Sequence, residues 1–386
     1  MTITRNFSVL ANGAGSANNL SLGGATLGSN ALAVTGTASI SGGAYISNLG
    51  GANKIINGDM VIDQRFAIVS TDNTYVVDRF LVRLVNQTTQ TFTSQQASLA
   101  STTPPGFINS LKYLFGGTAA APAATMVAGI VQKVEGLNCG DMKFGTADAK
   151  AILLSFWCKS SVTGTFGVSF FNSANNRSFP ATYTISVVNT WEYKTVAVPG
   201  DISGTWLVTN GIGIQVSWDL GVGATYSGSA TGAWQAADYR GVTGTTKLCA
   251  TTAGDFFLTG VKLELGSIAT PFVPDDYEVS FAKCQRYYQT YIDAPLCGVI
   301  SGVSTAGRCH MVLPVVMRTT PTAVMASPSY VFDGNISGGQ TSISVAYLNS
   351  SGIEFDLSLT LSTYTVGRAA IVYRALNGVL NISAEL

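Results

Sequence analysis

Three pairs of carboxylates stand close enough along the chain to be weighed as a general acid and base: Asp59 with Asp63, Asp275 with Asp276, and Glu354 with Asp356. Cutting a glycosidic bond needs two such groups on opposite sides of it. Asp275 and Asp276 stand where a helix would be capped, and Glu354 and Asp356 alternate on what reads as one strand face. No pair carries a pocket signal, so no catalytic residue is assigned and the expectation is a non-enzymatic protein. The single histidine, His310, follows Cys309 in a strand-like run. Arg308, His310 and Val312 then share one face and Cys309, Met311 and Leu313 the other, so thiol and imidazole point apart. One histidine leaves almost no material for a triad or a metal site. Gly241-Val-Thr-Gly-Thr-Thr-Lys247 has the outline of a phosphate loop, but no glycine precedes the lysine and Leu248 stands where Ser or Thr would bind magnesium. It reads as a hairpin loop.

Aromatic side chains offer a different chemistry. Trp206, Trp218, Tyr226, Trp234 and Tyr239 are interleaved with Gly, Ser and Thr. Flat rings beside amide and hydroxyl donors suit sugar rings, which present C–H faces and polar edges. Trp206, Tyr226, Trp234 and Tyr239 are the candidate glycan-binding residues. The same rings could instead fill a core or a subunit seam. Trp157 and Trp191 read as core.

Composition decides what kind of element must carry these groups. Only 11% of the 386 residues are charged, against about 25% in an ordinary soluble chain. Hydrophobic residues reach 46% and there are 42 glycines, a mixture that favours short strands and tight turns over long helices. Lys+Arg and Asp+Glu balance at 21 each without a basic cluster, so nucleic acid is not an expected partner. The opening Met1-Thr-Ile-Thr-Arg-Asn6 lacks the apolar core of a secretory signal, and no apolar run approaches a membrane span. Synthesis in a cytoplasm without membrane insertion is expected. The cysteines stand at 139, 158, 249, 284, 297 and 309, without a Cys-x-x-Cys, and are expected to be buried free thiols rather than zinc ligands or a disulfide frame.

Along the chain, residues 1–52 are rich in Gly, Ala, Ser and Asn, with Phe7 and Tyr45 as their aromatics. Short strands of this kind bury a core only when several chains wrap around one axis, which reads as a trimeric stalk; a flexible linker is the alternative. From residue 53 to 274 the strand-like segments include Leu153–Lys159, Gly164–Phe171, Tyr193–Val198 and Ile212–Trp218, best buried in a two-sheet sandwich, a jelly roll. A helix over 275–293 follows, capped by Asp275 with Glu278 three residues on. Tyr277, Phe281, Cys284, Tyr288 and Tyr291 form a heptad stripe, the candidate trimer neck, with packing on the chain's own sandwich as the other reading. Residues 294–386 resume the strand pattern, as in Arg308–Leu313, Ser342–Leu348, Ile353–Leu359 and Ala369–Tyr373, and read as a small C-terminal β domain.

Several segments also resemble a family of phage tail fibre and tail structural proteins. They are Asn53-Lys-Ile-Ile-Asn-Gly-Asp-Met60, Ile62-Asp-Gln-Arg65, Tyr75-Val-Val-Asp-Arg-Phe80, Leu154-Ser-Phe-Trp-Cys-Lys-Ser160, Gly232-Ala-Trp-Gln235, Phe257–Gly266, Ala269-Thr-Pro-Phe272 and Cys284-Gln-Arg-Tyr-Tyr288. In order and spacing they cover residues 53 to about 291, and Pro314–Thr322 resembles a segment that follows the helix in those proteins. The resemblance implies a jelly roll similar to carbohydrate-binding modules. Many such modules hold a structural calcium near the first strand and an Asp-Asp on a late strand. Here Thr259-Gly260 stands at the late-strand place and leaves Asp59 without partners, so neither metal nor cofactor is expected.

Together these readings predict an all-β homotrimer of a virion tail. The stalk joins other tail proteins, the central sandwich forms the body, and the C-terminal domain forms the tip facing a host-surface polysaccharide.

Overall fold

Alternation along the strands builds two sheets that share one core. The computed structural model describes residues 53–386 apart from 87–89, 99–103, 105, 293–295, 301–305, 327–328, 333–336, 360–365, 367 and 375–378. The expected stalk, residues 1–52, lies outside the described residues. The sandwich strands are β1 (Thr74–Val77), β2 (Phe80–Val85), β3 (Gln90–Ser98), β4 (Asn109–Gly117), β5 (Val127–Glu135), β6 (Ile152–Ser160) and β7 (Gly164–Phe171). They continue as β8 (Ser178–Ile185), β9 (Glu192–Val198), β10 (Ile212–Asp219), the short parallel pair β11 (Ser227–Gly228) and β12 (Gly241–Val242), and β13 (Asp255–Leu265). One sheet runs β1-β2-β5-β10-β7-β8 and the other β3-β4-β13-β6-β9, all antiparallel.

The side chains facing inward from both sheets bury apolar area, the main favourable contribution to folding. Trp218 lies at the centre, fully enclosed, with its ring 5.7 Å from Phe156 and 6.5 Å from Phe80. Cys158 and Cys249 are buried free thiols in this core, Cys139 and Cys284 are buried and free as well, and Cys309 is buried. Burial pushes the Cys139 and Cys158 thiols up to about 12, which keeps them protonated and inert.

The expected helix is shorter than its periodicity predicts. Helix α1 covers Tyr277–Gln285, and Tyr288–Ile292 is instead a strand, β14. After Arg286 the chain turns and Tyr288–Ile292 pairs with Val379–Ser383 (β22). The β-rich sequence Tyr-Gln-Thr-Tyr-Ile finds a partner strand there, and that partner outweighs the heptad spacing. The cap differs too. Asp276 takes the N-cap position without a side-chain bond, while Asp275 accepts from Lys283 Nζ at 2.6 Å. The neck stripe is thereby divided. Tyr277 is exposed and stacks with Phe281, whereas Cys284 and Tyr288 are sealed within the chain's own interior and Tyr291 lies on β14. Cys284 and the Tyr288 ring are thereby closed to another subunit.

The remaining strands are β15 (Leu296–Ile300), β16 (Ala306–Val312), β17 (Thr322–Ala326), β18 (Ser329–Phe332), β19 (Ser337–Leu348), β20 (Gly352–Leu359) and β21 (Ala369–Arg374). Six of them close a barrel in the order β15-β16-β20-β19-β18-β21, and β14-β22-β17 make a small separate sheet. The C-terminal β structure therefore begins at Tyr288, inside the segment expected to be helical.

Candidate functional site

The opening segments Asn53–Met60, Ile62–Arg65 and Tyr75–Phe80 build a junction with the residues around Tyr288 and Glu385. Asn57 adopts a left-handed φ of 59°, and its side-chain amide donates to the carbonyls of Ile62 (2.8 Å) and Asp78 (2.9 Å) and accepts from the Ile62 N–H. A side chain at Gly58 would meet the Val261 carbonyl oxygen at 2.1 Å, so only glycine fits there. Gln64 donates to Asp78 Oδ1 (2.7 Å) and to the Tyr288 carbonyl (2.8 Å). The Arg65 guanidinium lies 3.7 Å from the Tyr288 ring centroid and that of Arg79 3.6 Å from Tyr287. Both arginines pair with Glu385, and Glu135 holds Arg286 (2.7 Å).

Each carboxylate pair has at least one member held by a structural partner. Asp63 Oδ1 accepts from the N–H groups of Arg65 and Phe66, and Glu354 and Asp356 both face Arg308 across β16 and β20. Asp59 lines a cleft with Asp275, Lys262 and Lys283, and burial raises its carboxyl above the ordinary value. Thr259 Oγ donates to the Asn109 carbonyl (2.8 Å), and Lys262 donates to the Pro271 carbonyl (3.1 Å). Among the described residues no cluster of three or more His, Cys, Asp or Glu could hold a metal ion. His310 is exposed and Cys309 buried on opposite faces of β16, as their alternation predicts. In the loop after β12, Lys247 pairs with the fully buried Asp219, which also accepts from the N–H groups of Val222 (2.8 Å) and Val242 (3.1 Å). This lysine anchors a turn.

The four candidate aromatics do not form one platform. Trp206 and Trp234 meet edge to face at 5.1 Å, and Phe144 packs against both, at 4.9 and 5.6 Å. Their indole N–H groups donate to the Ser203 and Pro199 carbonyls. Both are half-buried and packed against the sandwich core. Tyr226 lies elsewhere, under the Arg240 guanidinium at 5.2 Å, and the Tyr239 ring packs on Gly228.

Arg240 leads to the surface that the sequence reading missed. The outer face of the six-stranded sheet carries a groove of about 220 Å³. Register places Lys133, Gln215 and Phe171 in one cross-strand row and Leu81, Val131, Ser217 and Ser169 in the next. Leu81, Val131 and Phe171 make an apolar floor, and Arg83, Lys133, Asn175, Gln215 and Arg240 bring polar ends to its sides. Gln215 Nε2 donates to the Asn172 carbonyl (3.1 Å) and Asn175 Oδ1 (3.2 Å), Arg240 is clamped by Asp238 through two 2.9 Å bonds, and Lys133 donates to the Leu386 carbonyl (2.6 Å). Burial, with Arg83 and Arg79 nearby, brings the Lys133 ammonium down to about 8. Each polar group is thus held in place before a ligand arrives, and the arrangement can cradle a neutral polar ring over an apolar floor. The only sequence signal for it is the alternation of Gln215, Ser217 and Asp219 with Ile214, Val216 and Trp218 on β10.

No family model matches the sequence, and no curated protein matches it. Among solved structures, the enzymatically active domain of tailspike protein 4 of bacteriophage CBA120 aligns at 12% identity and a TM-score of 0.30, over 55% of this chain and 21% of that one. A carbohydrate-binding module of family 4 aligns at 11% identity and 0.27, over 55% of this chain and 99% of its own. The family 11 module of a Clostridium thermocellum cellulosomal cellulase aligns at 13% and 0.26, covering 53% and 99%. The likeness is distant. It is one of β-sandwich architecture, and the chain spans about a fifth of the tailspike domain's length.

Proposed function

We propose that this chain is a non-enzymatic structural subunit of a bacteriophage tail, a fibre or receptor-binding protein, whose central jelly roll binds neutral glycan of the host surface. The observation that carries the glycan reading is the groove itself: an apolar floor of Leu81, Val131 and Phe171 ringed by pre-positioned Asn175, Gln215 and Arg240. Support for the tail assignment comes from the sequence segments between Asn53 and Tyr291 that resemble tail fibre proteins. In this reading residues 1–52 attach to other tail proteins, the particle is a homotrimer, and Glu354, Asp356 and Asp275 serve as ion-pair partners of Arg308 and Lys283 rather than as catalysts.

The test is direct. Full-length protein is assayed against a panel of bacterial capsular polysaccharides and lipopolysaccharides, beside Gln215→Ala and Arg240→Ala. Binding by the wild type that weakens about tenfold in each variant, at unchanged melting temperature, is the expected result. Because Arg83 and Arg240 are already paired with Asp72 and Asp238, that binding should survive 500 mM salt. Variants that bind as the wild type does would remove the groove from the reading. Release of new reducing ends from any bound polysaccharide would make the protein an enzyme. Sedimentation at three times 40.2 kDa is expected, and a stable monomer would overturn the trimer.

A further inference from the structure

The outer face of the opposite sheet carries a different chemistry. Cross-strand register on β4, β13 and β6 sets Lys112, Phe257 and Lys159 side by side, with Phe257 in the middle. The Lys159 ammonium lies 4.3 Å from the Phe257 ring centroid and that of Lys112 lies 5.6 Å from it. Trp191 closes the row at the edge, 6.2 Å from Phe257 and 5.4 Å from the Lys159 ammonium. In the next row Trp157 sits opposite Tyr193, ring to ring at 5.3 Å, and Tyr193 is 41% exposed.

Two ammonium groups gathered over one ring repel each other, and neither makes an ion pair among the described residues. Asp255, two residues along on the same face, accepts from the Ser161 N–H instead. In a chain with so few charges this is a positive spot without an ion pair, and beside it lies a ring pair of which Tyr193 is exposed and Trp157 half-buried. The rows are about 7 Å apart, two residues along a strand, which is the size of one sugar ring.

We infer that this face is a second binding site, distinct from the groove, for an acidic polysaccharide. A sugar carboxylate meets Lys112 and Lys159 while its neighbouring ring rests on Trp157 and Tyr193. Two ammonium charges can close on the two oxygens of a carboxylate; lysines bind a phosphate ester as well, which makes a phosphorylated glycan the competing outcome of the test.

Soluble polygalacturonate is the probe, with its methyl ester as the neutral control. Wild-type protein should bind polygalacturonate at 50 mM salt, lose at least tenfold in affinity at 300 mM, and ignore the ester. Lys112→Gln with Lys159→Gln should lower affinity at least tenfold, and Tyr193→Ala should weaken it without loss of fold, since the ring stands at the exposed surface rather than in the core. Gln215→Ala, in the groove, should bind as the wild type does, which separates this site from the other. Equal binding of acid and ester, full affinity in both lysine and tyrosine variants, or preference for a phosphorylated mannan over polygalacturonate would each overturn the assignment.

Discussion

Glu385 receives both Arg79 and Arg65, residues 306 and 320 positions away in the chain. Arg79 is 1% exposed, rests on the Tyr287 ring, and donates to the Lys133 carbonyl at 2.7 Å, so its charge is matched inside the protein rather than by water. The C-terminal strand β22 is thereby tied to the opening of the sandwich. A hydrophobic contact alone would tolerate slippage; a buried ion pair with fixed geometry specifies one docking position.

Removing that carboxylate leaves the buried Arg79 guanidinium without a carboxylate, while Arg65 keeps Asp78 at 3.5 Å. Glu385→Ala is expected to cost about 3–5 kcal/mol, the range for breaking a buried pair from one side. Urea unfolding measures it. A loss under 1 kcal/mol would mean that water reaches Arg79 and that the junction is looser than its geometry.

Asp78 makes the same junction sensitive to acid. Burial pushes its carboxyl up to about 6, against the pull of Arg65 and the Gln64 bonds. Its folded value lies above the unfolded one, so the folded chain holds this proton more tightly. The contribution is complete below about pH 4 and is lost as pH rises through 6. Wild type minus Asp78→Asn stability should therefore shrink from pH 4 to pH 7, by roughly 3 kcal/mol at 1.36 kcal/mol per pKa unit. A difference that grows over that range would show that pairing with Arg65 outweighs burial.

Trp234 and Trp206 behave as packing in this structure. Trp234→Ala removes contacts with Phe144, Phe179 and Trp206 and strands the Pro199 carbonyl. The expected cost is about 2–3 kcal/mol, below that of a fully enclosed ring. Tyr226→Ala, whose ring meets Arg240, should cost less than half as much. Thermal unfolding of the two variants compares them, and equal melting temperatures would return Trp234 to the list of binding residues.

Strand identity was legible because period-two burial is written locally. Leu153–Lys159, Gly164–Phe171, Tyr193–Val198 and Ile212–Trp218 each fall within a strand, β6, β7, β9 and β10. The opposed faces of His310 and Cys309 follow from the same alternation, and the buried state of Cys158 and Cys284 from their apolar neighbours. The sequence by itself thus determined the mostly β character of the described residues, with one α-helix among them. It could not determine where that helix ends, because Tyr288–Ile292 becomes a strand only when Val379–Ser383, some ninety positions later, offers its backbone. Nor could it show that Arg65 and Arg79 converge on Glu385 with Asp78 beside Arg65, or that Gln215 and Lys133 meet over Val131. Strand order and register decided both, and they are set by which faces bury together across the whole fold, a property no local window contains.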